Sequence, residues 1–263
     1  MKLQGHILTV EQLNQDDHLA MLDLMDRHYE HVDTRVFADD LAEKQLVLKL
    51  VDPDTGRLAG FSTQKLIPID VDGQRRLILF SGDTIVDEAA WGRPDFFNAS
   101  AALVSRLIEA HPNEDLYWYL ISKGHRTYRF LPVFFREFFP RARVPTPPLI
   151  KNILHGLGKS RFPELYEPET GIIRADQHAY WLRENLVPIG ESRLRDRHVR
   201  FFLERNPGYV HGDELCCLAP LRLDNFTAVA RRFIQQEQKG SRDARTFVQP
   251  GVDLELQGRS TAV

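Results

Sequence analysis

Cysteine is scarce in this chain of 263 residues, which has two, Cys216 and Cys217, at adjacent positions. Neighbouring cysteines rarely form a disulfide with each other because the small ring strains the peptide bond. A disulfide-stapled scaffold is therefore excluded, and a reducing compartment is expected. A long apolar run is also missing, since no stretch approaches the ~20 residues that a membrane-spanning helix needs. The sequence predicts no membrane span and a cytoplasmic location.

An excess of positive charge is missing as well, because the formal net charge is −3. A general nucleic-acid-binding protein needs a basic surface, so we expect no nucleic-acid partner. The charge is unevenly distributed: Lys and Arg concentrate in residues 123–143 and 193–205, whereas residues 11–43 are acidic. Local basic patches of this kind suit an acidic small ligand or an acidic carrier protein.

Several signature motifs are absent from the sequence. It has no Gly-x-Ser-x-Gly elbow, no Walker loop and no His-Glu-x-x-His pattern. No second cluster with the spacing of metal ligands accompanies His28 and His31, so we expect no metal cofactor. The adjacent cysteines lie in an apolar run, where a buried thiol is inert as a nucleophile.

The hydrophobic pattern of the first half predicts a sheet with helices on both faces. Turns at residues 53–56 and 70–73 make a three-stranded meander, and a helix then connects it to a strand without polar alternation, which is typical of a central strand. The predicted fold class is α/β (α+β), with a mixed, mostly antiparallel central sheet. The predicted strands are residues 6–10, 45–51, 57–69, 74–86 and 116–121, and the predicted helices are residues 16–29, 34–44 and 94–111.

The character of the sequence changes after residue 139, where four prolines fall within nine residues. We predict a core domain over residues 1–144 and a C-terminal extension over residues 145–263 that packs on it, with a tail at 240–263 that is partly disordered. Residues 149–158 and 223–238 are predicted helices. Residues 198–204 and 215–221 are compatible with either a strand or a helix.

The segment FSGDT, residues 80–84, places a glycine and an aspartate inside an otherwise apolar strand. Strand interiors seldom contain these residues unless a bulge or a site needs them. We predict that Gly82 forms a bulge that opens a cleft for a thioester, with Ser81 and Gly82 contacting the acyl donor. Asp83 is the predicted general base, because a partly buried carboxylate has a raised pKa. Alternatively, Asp83 caps the bulge or pairs with an arginine.

The segment VDEAAWGRPD, residues 86–95, leads into the helix predicted from Pro94. A helix N-terminus presents unpaired N–H groups and a partial positive charge, so it accepts an anion. Gly92 and Arg93 are the predicted anion-binding residues. The alternative is that they only begin the helix.

The element order of residues 6–143, together with this turn, resembles the GNAT superfamily of N-acetyltransferases, including its long-chain acyl and acyl-homoserine-lactone branches. In that family the pyrophosphate-binding turn commonly reads Arg/Gln-x-x-Gly-x-Gly/Ala. Here Gly92 and Arg93 are present, and Pro94 and Asp95 replace the closing glycine. The resemblance implies an N-acyltransferase, without a metal, that moves an acyl group from acyl-CoA or a phosphopantetheine-linked acyl carrier protein to a small-molecule amine. The alternative is a catalytically silent relative that binds an acyl ligand or a protein partner.

Related enzymes often use a tyrosine after the fifth strand of the core to protonate the leaving thiolate, and Tyr128 is the candidate by position. His125 is an alternative acid or base. Lys123 and Arg126 begin a basic run that is interleaved with aromatic residues, and we expect it to bind phosphate of the donor or the acidic helix of a carrier protein. A solvated helix face is the alternative for this run.

Phenylalanine is abundant next to this basic run. Phenylalanines at 130, 134, 135, 138 and 139, together with Phe96 and Phe97, present more apolar surface than one helix face needs. They are predicted to line a pocket for a long acyl chain or, alternatively, to pack against the second half of the chain.

Overall fold

A mixed sheet runs through the molecule, and strands from both halves of the sequence contribute to it. The computed structural model describes residues 3–177, 179–187, 189–238, 246–249, 252, 254 and 261–262. The strands are β1 Gln4–Thr9, β2 Tyr29–Glu30, β3 Leu46–Val51, β4 Leu58–Val71, β5 Gln74–Val86, β6 Asp115–Ser122, β7 Tyr166–Glu167, β8 Ile172–Ile173, β9 Trp181–Leu182, β10 Glu214–Pro220, β11 Thr246–Val248 and β12 Thr261–Ala262.

The main sheet has the order β11-β1-β3-β4-β5-β6-β10-β8-β7, and β12 pairs with β4. The β1–β11, β5–β6 and β4–β12 pairs are parallel, and the other pairs of this sheet are antiparallel. Strands β2 and β9 form a separate two-stranded sheet. The predicted fold class, a mixed and mostly antiparallel central sheet with helices on both faces, is confirmed.

Helices cover both faces of the sheet. The α-helices are α1 Gln15–His28, α2 Thr34–Ala42, α3 Asp95–Ala110, α4 His125–Tyr128, α5 Phe130–Phe134, α6 Pro148–Arg161, α7 Glu191–Leu194, α8 Arg197–Arg205 and α9 Ala228–Gln238. The 3-10 helices are Val10–Gln12, Glu88–Ala90, Glu184–Leu186 and Pro207–His211. None of the helices within the described ranges is long and apolar enough to cross a membrane.

The alternation of apolar side chains along β5 determines which helices pack on which face. Leu77 and Leu79 point into the cluster that contains Leu107 of α3 and Ile234 of α9. Ile78 and Phe80 point to the other face, into the cluster that α6 supplies. Helices α1 and α2 cover the neighbouring part of that second face, against β3 and β4. The strand is apolar on both sides because both of its faces are buried.

Polar residues at the helix starts define where α1 and α2 begin. The side chain of Asn14 accepts a hydrogen bond of 2.8 Å from the backbone N–H of Asp17 at the start of α1. Asp33 accepts hydrogen bonds from the backbone N–H groups of Arg35 and Val36 at the start of α2. The helix predicted over residues 34–44 thus begins at its predicted first residue, Thr34. Asp33, which precedes it, is a residue type that satisfies the unpaired N–H groups of a helix start.

Residues beyond position 144 contribute β7, β8, β10 and β11 to the main sheet, and β10 pairs with β6 from Pro220↔Tyr117 to Leu215↔Ser122. The segment 198–204, for which the pattern allowed a strand or a helix, lies within α8, and 215–221 is mostly β10. The division at residue 144 stays a prediction. The predicted disordered tail at 240–263 lies mostly outside the described residues.

Candidate functional site

The neighbouring strands β5 and β6 pair along only part of their length. Their parallel register runs from Arg76↔Asp115 to Ser81↔Leu120. Beyond that point β5 continues to Val86 and β6 continues to Ser122. Within the described residues, the edge of β5 from Gly82 to Val86 therefore has no strand partner on the β6 side. A gap at the carboxyl ends of parallel strands is where open α/β sheets usually bind their ligands.

A bulge in β5 lies at the start of this gap. On β4 and β5, Ser62 pairs with Thr84 and Gln64 pairs with Ser81, so Gly82 and Asp83 together stand opposite the single residue Thr63. A Cβ atom on Gly82 would lie 2.6 Å from both Lys44 Cε and Thr63 Oγ1. Any larger residue at this position would force the Lys44 or Thr63 side chain to shift, so their close approach favours glycine. The bulge turns β5 and displaces it from the β6 ladder.

Two cavities meet at the gap. The first, which we call the Asp83 pocket, has a volume of about 210 Å³ and is lined by Gly82 and Asp83 together with residues of α2 and the segment after α6. The second, the basic cleft, has a volume of about 320 Å³ and lies against α4, α5 and the residues before α3. Both are lined by Tyr29, Thr84, Lys123 and Thr127. These four shared residues place the two cavities next to each other at the gap.

Asp83 is the titratable group at the centre of the Asp83 pocket. The phenol of Tyr180 donates a hydrogen bond to its carboxylate. Burial, followed by the nearby negative charge of Asp40, raises the pKa of Asp83 from its ordinary value to about 6, although Tyr180 and Lys123 act in the opposite direction. A carboxylate with this pKa is mostly ionised at pH 7 and still binds a proton readily.

Lys123 joins the two sides of the gap. Its Nζ atom lies 3.2 Å from a carboxylate oxygen of Glu214 and donates a hydrogen bond of 2.9 Å to the carbonyl oxygen of Tyr180. It also lies 3.5 Å from the centroid of the Tyr180 ring. Tyr29 packs edge-on against Tyr180 with a centroid distance of 5.0 Å. These contacts hold one cation and two aromatic rings around the Asp83 carboxylate.

Replacing Tyr180 with phenylalanine is expected to raise the pKa of Asp83 further above about 6, because the phenol stabilises the ionised carboxylate by donating to it. The measurement is an NMR titration of the Asp83 carboxyl carbon in the wild type and the variant. Tyr166→Phe removes a phenol that lies outside both cavities, and it should leave the titration midpoint unchanged. Identical midpoints in all three proteins would show that the Tyr180 contact is not formed in solution.

Positive charge dominates the basic cleft. Lys123, Arg126, Arg129 and Arg193 line it, and no Asp or Glu is among the described residues that do so. Arg126 lies 4.1 Å above the Trp91 ring and donates a hydrogen bond of 3.1 Å to the carbonyl oxygen of Leu186. Two of the four cations pair with carboxylates that lie outside the cleft lining, Lys123 with Glu214 and Arg129 with Asp196 at 3.1 Å. The excess of positive charge in the lining suits the phosphate groups of an acyl-CoA.

The turn before α3 contributes Gly92 to the basic cleft. Gly92 has φ of +76°, in the left-handed region that favours glycine. Arg93 does not line the cleft and instead pairs at 2.9 Å with Asp95, whose side chain is buried at the start of α3. The Asp95 carboxylate therefore occupies part of the helix N-terminus at which an anion was expected.

The structure brings His125 to the basic cleft but keeps it neutral. Burial, together with the charges of Arg126, Arg129 and Arg193, lowers its pKa to about 4. At pH 7 the imidazole therefore has no extra proton to give, which removes the basis for a role as general acid. As a base it would be weak, because its affinity for a proton is low.

Tyr128 does not reach either cavity. Its side chain is fully buried, its hydroxyl donates a hydrogen bond of 2.8 Å to the carbonyl oxygen of Pro140, and its ring packs near Phe202 and Phe138. The prediction that it protonates the leaving group finds no geometric basis here. Tyr128 follows the right strand in the sequence, but α4 turns its side chain into the core, and sequence position alone does not give that direction.

Ser81 belongs to a buried chain of hydrogen bonds and not to the basic cleft. Trp118 Nε1 donates to its hydroxyl at 2.8 Å, and the hydroxyl donates to the Gln64 side chain at 2.7 Å. Gln64 donates to Ser62 at 2.7 Å, and Ser62 and Thr84 share a hydrogen bond of 2.6 Å. These side chains border a third cavity, the phenylalanine cavity, which lies between the sheet and α3, α5 and α9.

Sequence reasoning missed Tyr180, Thr84 and Arg193. Tyr180 lies 97 residues from Asp83 in the sequence, in a stretch without helical or strand periodicity. No local signal was available for it. Thr84 adjoins the predicted base and lines all three cavities. Its position next to the predicted bulge is a sequence signal that marks it as a candidate site residue.

No family model matches this chain, and no curated protein matches it. Solved structures with similarity to it do exist. A GNAT family N-acetyltransferase from Escherichia coli in complex with CoA has 17% identity over 49% of this chain and 69% of that chain, with a TM-score of 0.36. An acetyltransferase from Trypanosoma brucei has 19% identity over 55% of this chain and 100% of that chain, with a TM-score of 0.37.

A further solved structure, a protein of unknown function from Enterococcus faecalis described as a probable N-acyltransferase, has 10% identity over 84% of this chain and 66% of that chain, with a TM-score of 0.40. The GNAT superfamily that the sequence resembles is thus represented among the similar structures. At these identities the similarity concerns the arrangement of strands and helices.

Proposed function

We propose that the protein is an N-acyltransferase that moves an acyl group from an acyl-CoA to an amine. The observation that carries the proposal is the gap between β5 and β6, which is bordered by a cavity rich in positive charge and by one that contains a carboxylate with a pKa of about 6. A phosphorylated thioester fits the first cavity, and an amine fits the second. The two substrates would meet beside Thr84 and Lys123.

The protein has to supply little beyond positioning of the substrates and removal of a proton, because a thioester is already activated. An amine that reaches the Asp83 pocket as an ammonium ion gives a proton to the Asp83 carboxylate. The amine nitrogen then forms a bond to the thioester carbon, the carbon–sulfur bond breaks, and the nitrogen loses its excess proton to water in the open cleft. Asp83 returns its own proton to solvent after the product leaves. Thr84, which borders all three cavities, lies where the thioester would pass through the sheet.

The leaving thiolate needs a positive charge and finally a proton. Lys123 is the cation that borders both sides of the gap, so it is placed to stabilise the thiolate electrostatically. The proton then comes from solvent in the open cleft. This assignment replaces Tyr128 and His125, since the first is buried in the core and the second is neutral at pH 7.

The direct test is the release of free thiol when the protein is incubated with acetyl-CoA or octanoyl-CoA and a panel of small amines. Thiol release that depends on both the amine and Asp83 supports the proposal. A thermal shift with acyl-CoA but no thiol release with any amine supports the alternative, a catalytically silent protein that binds an acyl ligand. A carrier protein as acyl donor and a cytoplasmic location stay predictions of the sequence.

Replacing Arg193 with glutamine is expected to raise KM for acyl-CoA roughly tenfold with little change in kcat, because a phosphate contact stabilises bound substrate and transition state alike. Arg193 borders the basic cleft, whereas the exposed Arg195, two residues further on, does not. Arg195→Gln is therefore the matched control and should leave KM unchanged. Equal effects of the two substitutions would indicate a general loss of surface charge and not a binding contact.

A further inference from the structure

The phenylalanine cavity is a separate apolar space next to the gap. Seven phenylalanines border it, from three helices and the segments next to them: Phe96, Phe97, Phe130, Phe134, Phe135, Phe226 and Phe233. Leu79 of β5, Leu120 of β6 and Ile234 of α9 complete its apolar walls. It lies on the sheet face opposite the Asp83 pocket, because Leu79 and Leu120 point to the α3 side whereas Phe80 and Ile121 point to the α6 side.

The polar side chains that border this cavity already have hydrogen-bond partners. Ser62, Gln64, Ser81, Thr84 and Trp118 are joined in the chain of hydrogen bonds described above. Ser100 donates to the carbonyl oxygen of Phe96 at 2.9 Å. None of the described side-chain atoms that are buried without a partner belongs to a residue lining this cavity. The cavity therefore offers little to a water molecule or a polar ligand, and a hydrocarbon is the occupant that it favours.

The cavity adjoins the basic cleft at three residues. Thr84, Phe97 and Phe130 border both spaces. Phe97 and Phe130 are in edge-to-face contact with centroids 5.6 Å apart, and Thr84 lies at the end of the polar chain. An acyl group whose thioester sits at the gap, with its phosphates in the basic cleft, therefore has its chain directed toward the phenylalanine cavity.

We propose that the phenylalanine cavity holds the hydrocarbon chain of the acyl donor, so that the preferred donor is an acyl-CoA longer than acetyl-CoA. This inference rests on the proposed function for the position of the thioester. The cavity volume of about 90 Å³ is several times the ~10–15 Å³ that one water-sized group requires. It therefore accepts several methylene groups beyond the two carbons of an acetyl group.

The first experiment measures binding and not turnover. The Kd values of acetyl-, butanoyl-, hexanoyl-, octanoyl- and dodecanoyl-CoA are determined by calorimetry with the wild-type protein. Each buried methylene group should tighten binding roughly fourfold. Octanoyl-CoA has six more methylene groups than acetyl-CoA, so it is expected to bind on the order of 10³-fold more tightly when all six are buried. Equal Kd values along the series would overturn the inference without any variant being made.

The second experiment fills the cavity from two sides. Ala101 of α3 and Ala230 of α9 are buried and border it, so Ala101→Leu and Ala230→Leu each place extra atoms in the path of the chain. Each variant is expected to weaken octanoyl-CoA binding at least tenfold and to leave acetyl-CoA binding unchanged. Val229→Leu adds a methylene group to the exposed side of α9, and it should leave the whole series as in the wild type.

The outcomes separate this inference from the proposed function. Tighter binding of the longer chains without thiol release retains the acyl-chain cavity and removes the transferase activity. Thiol release from acetyl-CoA that falls with chain length retains the activity and removes the cavity assignment. A third outcome also contradicts the cavity assignment. In it, the wild-type protein binds all chain lengths with equal Kd values, and the leucine variants lose binding for all of them alike.

Discussion

Replacing Asp83 with asparagine is expected to lower kcat by about 10²-fold or more, because the amine would lose the group that takes its proton. The amide has nearly the same shape as the carboxylate and can accept the hydrogen bond from Tyr180. The loss would therefore report on proton transfer and not on packing. In the wild type, kcat/KM should rise with pH and be half-maximal near the pKa of Asp83, about 6.

The same substitution is expected to stabilise the fold at alkaline pH. The pKa of Asp83 in the folded protein, about 6, lies above its ordinary value. The stability that the protonated carboxyl contributes is therefore present at low pH and is lost as the pH rises through about 6. Asparagine does not ionise, so at pH 8 we expect the free energy of unfolding of Asp83→Asn to be about 3 kcal/mol higher than that of the wild type. At pH 4 the two proteins should differ little.

Urea unfolding at pH 4 and pH 8, combined with turnover assays, checks both expectations on one variant. Asp52→Asn is the matched control, since Asp52 is a buried carboxylate that holds a turn through Asp54 and Thr55 and borders neither cavity at the gap. It should retain turnover. An Asp83→Asn protein that keeps full activity would remove Asp83 from the mechanism, and one that is less stable at pH 8 would contradict its raised pKa.

Replacing Lys123 with methionine is expected to destabilise the protein by about 3 kcal/mol at pH 8, which is typical when one partner of a buried ion pair is removed. The Lys123 and Glu214 side chains are 12% and 16% exposed, so methionine would leave the Glu214 carboxylate mostly buried without its cation. The pKa of Asp83 should also rise, because Lys123 holds it down. The Asp83 carboxyl then favours protonation in the fold more strongly, so the destabilisation should shrink as the pH falls toward 5.

A double-mutant cycle isolates the cause of this effect. Glu214→Gln in the Lys123→Met background removes the charge that was left unpaired, and it should restore most of the lost stability at pH 8. Turnover should stay low in the double variant, because the cation at the gap is still absent. A double variant as unstable as the single one would mean that Lys123 stabilises the fold through its ring contacts with Tyr180 and not through Glu214.

The regular elements were predicted from the periodic spacing of apolar residues. Strand β5 was predicted at its observed bounds, and the helix predicted over 94–111 is α3, Asp95–Ala110. These elements are recognisable because both sheet faces and one side of each helix are buried, which imposes a spacing on the apolar residues. The segment 198–204 was ambiguous for the same reason, since a short amphipathic stretch with few apolar residues fits both the helical and the strand period.

Residues of the candidate site were predictable only where they interrupt the pattern of a regular strand or helix. Gly82 and Asp83 interrupt an apolar strand, and the structure contains a bulge at that position. Tyr180 and Arg193 lie in irregular or short segments that the tertiary fold brings to the gap, so no periodic signal marks them. The proposed role of Tyr128 lacks a geometric basis for a different reason. Its position after β6 could be read from the sequence, but the burial of its ring depends on packing against α8.

The order of strands and helices, the break in β5 and the acidic group beside it follow from the sequence, because each leaves a local mark in residue spacing or residue type. The cleft beside Gly82 was predicted from the same mark, whereas the meeting of Asp83, Tyr180, Lys123 and Glu214 follows only from the tertiary structure. These contacts join residues far apart in the chain, and their geometry depends on how several helices pack around the sheet at once. The cavity that would accept an acyl chain arises in the same way, from phenylalanines on separate helices.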